Sequence, residues 1–184
     1  MTALLLIDIQ QGLQEMEFYG TERSNPHAEA NCSKILTVFR QKKWPIFHVQ
    51  HCSTNPESPL HPSKAGNDFH PLVKPLDNEP IIPKNVNSAF IGTDLETRLK
   101  SEKINDLIIV GLTVEHCIST SVRMAANLGF NVTLISDSTA AFDKIGVDGK
   151  RLSADIIHDA ALANLKDEFA KVMNTTTLLK ELAD

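Results

Sequence analysis

The stretch Asn105-Asp-Leu-Ile-Ile-Val-Gly-Leu-Thr-Val-Glu-His-Cys117 passes from one kind of structure to another. Its first half is an apolar run typical of a buried strand, and a helical pattern follows from Val114 to Leu128. The first turn of a helix offers unpaired backbone N–H groups and the positive end of the helix dipole. Both favour a thiolate, so the position of Cys117 predicts a lowered thiol pKa and a nucleophilic sulfur.

Strand-like and helix-like segments alternate along the rest of the chain, as in parallel βαβ units. Strands are predicted near residues 3–9, 45–50, 80–83, 106–111, 131–136 and 171–175. Helices are predicted near residues 27–42, 93–101, 115–128 and 153–169, where apolar residues recur every three or four positions. This alternation predicts an α/β protein with a three-layer α/β/α Rossmann-like fold. The remaining irregular stretch, Cys52 to Asn78, is long enough that we expect it to be functional.

Composition limits the function classes. The 184 residues, 42% of them hydrophobic, fit a single domain spanning residues 1–184 with one core. A net charge of −5 without a basic stripe argues against nucleic acid and anionic membranes, and favours a small-molecule substrate as the partner. With neither a secretory segment nor an apolar run of about 18 residues, we expect a cytoplasmic protein. The three cysteines show no paired spacing, so disulfides are not expected.

Two further polar residues close apolar runs. Asp8 ends Thr2-Ala-Leu-Leu-Leu-Ile-Asp8, and Lys84 ends Glu79-Pro-Ile-Ile-Pro-Lys84. The carboxyl ends of parallel strands meet at one edge of a sheet, where ligands bind beside the reversal of strand order. We therefore expect Asp8, Lys84 and Cys117 to converge.

Three segments around these residues resemble the motifs of the isochorismatase-like cysteine hydrolases, a superfamily that includes nicotinamidases and carbamoyl-amide hydrolases. They are Leu-Leu-Ile-Asp8-Ile-Gln10, Pro83-Lys84 followed by Asn87-Ser-Ala-Phe90, and Gly111-Leu-Thr-Val-Glu-His-Cys117. The resemblance covers nearly the whole chain. It implies a six-stranded parallel sheet of order 3-2-1-4-5-6.

The resemblance also implies a catalytic triad of Asp8, Lys84 and Cys117. The sulfur would cleave an amide, carbamoyl or ureido C–N bond of a small molecule through a thioester, with Asp8 moving protons and Lys84 holding Asp8 ionised. The implied oxyanion hole consists of the Cys117 and Thr113 N–H groups, the second presented by a cis peptide bond after Leu112.

Four residues are candidate substrate contacts. The resemblance suggests Gln10 as a polar contact and Phe90 as a stacking face. Phe142, after the fifth predicted strand, is interpreted either as a ligand contact or as a core-closing residue. His51 is the fourth candidate, whereas His116 is expected in helix packing or a subunit contact.

Imidazole and thiolate groups can bind zinc, and one region of the sequence is rich in them: it contains His48, His51, Cys52, His61 and His70. Nicotinamidases of this superfamily bind a divalent metal through an Asp-x-His pair, but the corresponding stretch here is His51-Cys52-Ser53. We therefore expect no metal and no other cofactor.

Two alternative functions remain open. One is an isochorismatase-type vinyl ether hydrolase, which uses acid catalysis by the aspartate and is disfavoured by Cys117. The other is a non-catalytic oligomeric binding protein. Whichever function is correct, the resemblance implies that the protein is a homodimer or a homotetramer.

Overall fold

The computed structural model describes residues 1–183, and its centre is a six-stranded parallel sheet. The strands of the main sheet are β1 (Thr2–Ile7), β2 (Ile46–His51), β3 (Ile81–Lys84), β4 (Asp106–Leu112), β5 (Asn131–Ala140) and β8 (Lys171–Met173). Two short strands, β6 (Lys144–Ile145) and β7 (Arg151–Leu152), form a separate antiparallel hairpin. The main sheet has the order β3-β2-β1-β4-β5-β8. Because β8 is its sixth strand, the predicted order and the α/β fold class are confirmed.

Helices cover both faces of this sheet. They are α1 (Met16–Tyr19), α2 (Ala28–Lys42), α3 (Leu95–Ser101), α4 (Ser119–Asn127), α5 (Ala154–Leu165) and α6 (Thr175–Ala183), with a π-helical turn at Val114–Ile118 before α4. Apolar residues of α3, α4 and α5 pack on one face, and those of α2 and α6 pack on the other. The molecule therefore has the three layers that the sequence predicts.

Strand β1 shows why the central strands contain almost no polar residues. Ala3, Leu5 and Ile7 belong to the core cluster on one face, whereas Leu4 and Leu6 belong to the cluster on the other. A strand covered on both sides has no solvent face, so its apolar run is continuous. In β1 the polar residues are accordingly confined to the two ends, with Thr2 at the start and Asp8 immediately after Ile7.

Gly111 allows β1 and β4 to lie close together near that end. Its φ is 132°, and a Cβ atom at this position would lie 2.0 Å from the backbone oxygen of Ile7. Only glycine fits this approach without moving the backbone. The residues that follow the two strands, Asp8 and Thr113, are thereby held at neighbouring positions.

The structure differs from the sequence-based boundaries at several places, among them the unpredicted short helix α1 and the unpredicted hairpin of β6 and β7. Helix α6 was not predicted, β5 continues to Ala140, and α5 ends at Leu165 instead of residue 169. The chain turns after α5 because Asp167 adopts a left-handed conformation with a φ of 69°. No helix within residues 1–183 is long and apolar enough to cross a bilayer.

Candidate active site

Lys84 joins the ends of the central strands through its ammonium group. Its Nζ donates to Asp8 Oδ2 at 2.6 Å and lies 3.3 Å from Cys117 Sγ. It also donates to His51 Nδ1 at 2.9 Å and to the Val86 carbonyl oxygen at 3.1 Å. An ammonium has three protons for these four neighbours, so the sulfur shares the cation with better acceptors.

The backbone turns sharply where it leaves β1. Asp8 has a φ of 53°, and its N–H extends the sheet by donating to the Val49 carbonyl at 3.0 Å. Aspartate tolerates this left-handed conformation better than most residues do. The turn directs the Asp8 carboxylate toward Lys84, whose side chain is itself fully buried.

Asp8 and Lys84 form a buried ion pair beside a buried thiol. Asp8 is 1% exposed, Lys84 4% and Cys117 9%. Oδ2 of Asp8 holds the ammonium, but Oδ1 is buried without a hydrogen-bond partner among residues 1–183. One Asp8 oxygen, a His51 ring nitrogen and the Cys117 sulfur lie within 4.8 Å of one another. The carboxylate therefore has an unused oxygen to accept a proton near the sulfur.

The thiol of Cys117 does not have the acidic character that its position predicts. Burial raises its pKa, the negative charge of Asp8 raises it further, and Lys84 only partly opposes these effects. The residue also lies in the π-helical turn Val114–Ile118 instead of the first turn of α4. The prediction of a lowered thiol pKa is thus wrong for the resting protein, in which the sulfur stays protonated at neutral pH.

His51 is fixed on both its backbone and its side chain. Its N–H donates to Gln10 Oε1 at 2.8 Å, and its carbonyl accepts from Gln10 Nε2 at 3.0 Å. Burial lowers the pKa of the His51 ring, and the Lys84 ammonium lowers it further, against the opposing charge of Asp8. The imidazole is therefore neutral at pH 7.

A cavity of about 270 Å³ opens over the sulfur. Its lining includes Asp8, Tyr19, His51, Ser58, Asn87, Thr113, Cys117, Phe142 and Lys144. Tyr19 stacks on Phe142 with ring centroids 5.2 Å apart, which gives the cavity an aromatic wall. Burial raises the pKa of Tyr19 to about 12, so its phenol is a neutral group near pH 7. The peptide bond between Leu112 and Thr113 is cis, as the resemblance implies.

Two predicted substrate contacts lie elsewhere. Gln10 is fully buried outside the cavity lining, and its amide binds His51 and the Asn67 carbonyl. Phe90 packs in the core, where it stacks on Phe130 with ring centroids 6.1 Å apart. Gln10 thus positions His51, which lines the cavity, and Phe90 contributes to the hydrophobic core. The structure therefore places Gln10 and Phe90 outside the cavity lining, whereas His51 and Phe142 line the cavity.

Several cavity residues were not identified from the sequence. Tyr19 lies in the segment between the first strand and the first long helix, and Lys144 begins the short hairpin, so neither follows a predicted strand end. Ser58 was contained in the irregular stretch expected to be functional. His116 was expected in packing, but it lines the cavity with its Nδ1 3.2 Å from Thr113 Oγ1.

The residues present do not fit a divalent metal. Asp8, His51 and Cys117 are the one group within residues 1–183 whose ligand atoms cluster closely enough to hold an ion. However, the Lys84 ammonium lies within 2.6 to 3.3 Å of an atom of each of them. The ammonium thus occupies the position from which a cation would contact all three, and two cations this close would repel strongly.

A six-stranded parallel sheet of this order, flanked by helices on both faces, is the α/β fold of the isochorismatase family. The chain belongs to the isochorismatase family, whose domain model matches residues 2–177. It is a hydrolase of the isochorismatase-like cysteine hydrolase superfamily.

Individual relatives agree with this assignment. The chain is 44% identical to the isochorismatase family protein YrdC of Bacillus subtilis over 179 residues, covering 97% of this chain and 95% of YrdC. It is 43% identical to the N-carbamoylsarcosine amidase of an Arthrobacter species over 117 residues, covering 54% of this chain and 44% of the amidase. A crystal structure described as a hydrolase of this family from Chromobacterium violaceum superposes with a TM-score of 0.95 at 38% identity, covering 99% of this chain and 93% of the other.

Proposed function

We propose that this protein hydrolyses an amide, carbamoyl or ureido C–N bond of a small molecule through a thioester on Cys117. The observation that carries the proposal is the position of the Lys84 ammonium, 2.6 Å from Asp8 Oδ2 and 3.3 Å from Cys117 Sγ. A carboxylate, a cation and a thiol in contact beside a cavity provide an acid–base group, a counter-charge and a nucleophile.

In the first step the thiol proton moves to the free oxygen of Asp8 while Cys117 Sγ attacks the carbonyl carbon. The S–C bond forms, and the carbonyl π electrons become a lone pair on oxygen. The proton transfer leaves the net charge of the three side chains unchanged, because the carboxylate is neutralised as the thiolate forms. Lys84 then faces the developing negative charge on sulfur at 3.3 Å. This internal transfer explains how a thiol with a raised pKa can attack at neutral pH.

The tetrahedral intermediate collapses when protonated Asp8 gives its proton to the departing nitrogen. The C–N bond breaks, and ammonia or an amine leaves the thioester behind. Asp8 next removes a proton from water as the water oxygen attacks the thioester carbon. When this second intermediate collapses, the C–S bond breaks and the proton held by Asp8 returns to sulfur. The products are an acid and the original thiol.

The backbone N–H groups of Thr113 and Cys117 are the proposed oxyanion donors. Thr113 lines the cavity beside the sulfur, and its N–H makes no backbone hydrogen bond within residues 1–183. A donor without an internal partner at this position is available to a negatively charged oxygen.

The cavity supports a small substrate. Its volume of about 270 Å³ lies near the lower end for ligand sites, and the stacked rings of Tyr19 and Phe142 form one wall. The name of the Arthrobacter relative denotes an amidase of a carbamoyl compound, which supports a substrate of the same bond type.

The test is a screen of the purified protein against small carboxamides, ureas and carbamoyl acids for released ammonia or amine. On any compound that the protein hydrolyses, the Cys117→Ser variant should retain less than about 1% of the parent's turnover, because the hydroxyl lacks the nucleophilicity of the thiol. Cys52→Ser is the matched control, since Cys52 is partly exposed and lies outside the cavity lining. Turnover by Cys117→Ser at the parent's rate would exclude the thioester.

A further inference from the structure

The hydrogen bond between Lys84 and His51 fixes which ring nitrogen of His51 carries a proton. The Lys84 ammonium can only donate, and it lies 2.9 Å from His51 Nδ1. Nδ1 must therefore be an acceptor. In the neutral ring the proton then resides on Nε2, so His51 presents a donor from that side.

The Nε2–H group has no acceptor among residues 1–183. It donates no hydrogen bond within residues 1–183, and it is not among the buried polar atoms without a partner, so it reaches open space. His51 lines the cavity over the sulfur, and its side chain is 16% exposed. A donor of fixed identity therefore faces the volume that a substrate would occupy.

The ring stands close to the reacting atoms and is held there by the hydrogen bond from Lys84. Its Nδ1 is 4.0 Å from Cys117 Sγ and 3.8 Å from Asp8 Oδ2, and Gln10 holds both backbone polar groups of His51. A carbonyl carbon in position for attack lies about 3 to 3.5 Å from the sulfur. The Nε2–H group is thus near the substrate atoms adjacent to that carbon.

We propose that His51 determines substrate specificity by donating its Nε2–H to an acceptor atom that lies two bonds from the scissile carbonyl carbon. The inference rests on the proposed function. It narrows the substrate class to amides, ureides and carbamoyl compounds that carry an oxygen or an unprotonated nitrogen two bonds from the reacting carbonyl carbon.

Two variants separate the two sides of the ring. In His51→Asn the side-chain oxygen replaces Nδ1 as the acceptor for Lys84, but the Nε2 donor is lost. In His51→Gln the amide N–H reaches the position of Nε2, but the contact with Lys84 is weakened. A specificity role requires the donor, whereas a role in orienting Lys84 requires the acceptor.

The probes are 2-pyridinecarboxaldehyde and 4-pyridinecarboxaldehyde. Each adds reversibly to a thiol: an S–C bond forms and the thiol proton ends on the aldehyde oxygen, giving a hemithioacetal without any oxidant. The two isomers have the same size, but only the 2-isomer has its ring nitrogen two bonds from the aldehyde carbon. Calorimetric titration gives the dissociation constant of each isomer, and Cys117→Ser corrects for addition to amines.

We expect the preference of the protein for the 2-isomer to fall about fivefold or more in His51→Asn and to change by less than about twofold in His51→Gln. Comparing the ratio of the two isomers between proteins cancels their different intrinsic reactivity. An unchanged ratio in His51→Asn would overturn the specificity role while leaving the proposed function intact. Failure of both isomers to add to Cys117 in the unaltered protein would overturn the specificity role, whereas the proposed function is tested separately by the screen for released ammonia or amine.

A measurement on the unaltered protein covers the case in which a variant does not fold. Nitrogen NMR of labelled histidine should show the His51 proton on Nε2, and the Nε2 signal should move with the 2-isomer but not with the 4-isomer. A proton on Nδ1, or equal shifts with both isomers, would contradict the proposal.

Discussion

Replacing Asp8 with asparagine should make the Cys117 thiol more acidic and the enzyme less active. The charge of Asp8 is one of the causes that raise the thiol pKa, second to burial, while Lys84 lowers it. The variant removes the charge of Asp8 and keeps the ammonium 3.3 Å from the sulfur. A more acidic thiol is usually a more active nucleophile, so the two expected effects run in opposite directions.

The magnitude follows from the geometry. A carboxylate oxygen and the sulfur lie within 4.8 Å of each other. Two unit charges at this separation repel by about 3 kcal/mol at an effective dielectric constant of about 20, which corresponds to about two pKa units. The thiol pKa in Asp8→Asn should fall by this order. Turnover should fall about 100-fold or more, because the asparagine amide cannot accept the thiol proton or return it to the leaving nitrogen.

The acidity of the thiol in the two proteins is compared from the rate of Cys117 alkylation by iodoacetamide at matched pH between about pH 6 and pH 10, because a thiol with a lower pKa reacts faster at a given pH. The modified peptide is quantified by mass spectrometry. Turnover is measured as released ammonia. Asp106→Asn is the matched control, since Asp106 begins β4 at the opposite edge of the sheet. A thiol pKa in Asp8→Asn that is equal to or above the parent's, or turnover near the parent's rate, would refute the proposed role of Asp8.

Three further predictions concern charge, pH and backbone geometry. The variant Lys84→Met removes the ammonium and leaves Asp8, His51 and Cys117 without a cation. It should therefore retain zinc after dialysis when the parent protein does not. Equal zinc content in the two proteins would contradict the argument that the Lys84 ammonium excludes a metal ion. Burial alone would raise the pKa of Glu79, but hydrogen bonds, first from Arg40, lower it to about 2. The ionised carboxylate therefore stabilises the fold above its unfolded pKa of about 4.3, and this contribution is lost as the pH falls through about 2. Calorimetry should therefore show a lower melting temperature for Glu79→Gln at pH 7 and a weaker decline below about pH 5, and an unchanged pH profile would count against it. Gly111→Ala should cost about 3 kcal/mol or more in urea unfolding, because its Cβ would lie 2.0 Å from a backbone oxygen of β1, whereas Gly129→Ala has nothing within 4 Å and should cost much less; similar losses would refute the packing explanation.

The sequence was most informative about the strand ends of the site. Asp8, Lys84 and Cys117 each follow or end an apolar run, and parallel strands place such positions at one edge of the sheet. Helix α6 was missed although Asn174 precedes it and accepts from the Thr177 N–H at 2.8 Å, a helix-start signal that was available.

Properties of the site that depend on three-dimensional packing could not be predicted from the positions of residues in the sequence. The thiol pKa depends on how much water the fold removes from Cys117 and on its distance from Asp8, and neither follows from sequence position. Gln10 and Phe90 belong to two of the three motifs, yet the directions of their side chains are set by long-range partners, the β2 backbone and Phe130. Tyr19 reaches the cavity only because it stacks on Phe142, far away along the chain.

Three of the four contacts of the Lys84 ammonium, those with Asp8, His51 and Cys117, come from remote segments of the polypeptide. A chain in which one of these segments has not yet docked would carry an ordinary cysteine, since the proton acceptor and the counter-charge would be missing. Hydrolytic competence should therefore arise late in maturation, together with the completed sheet.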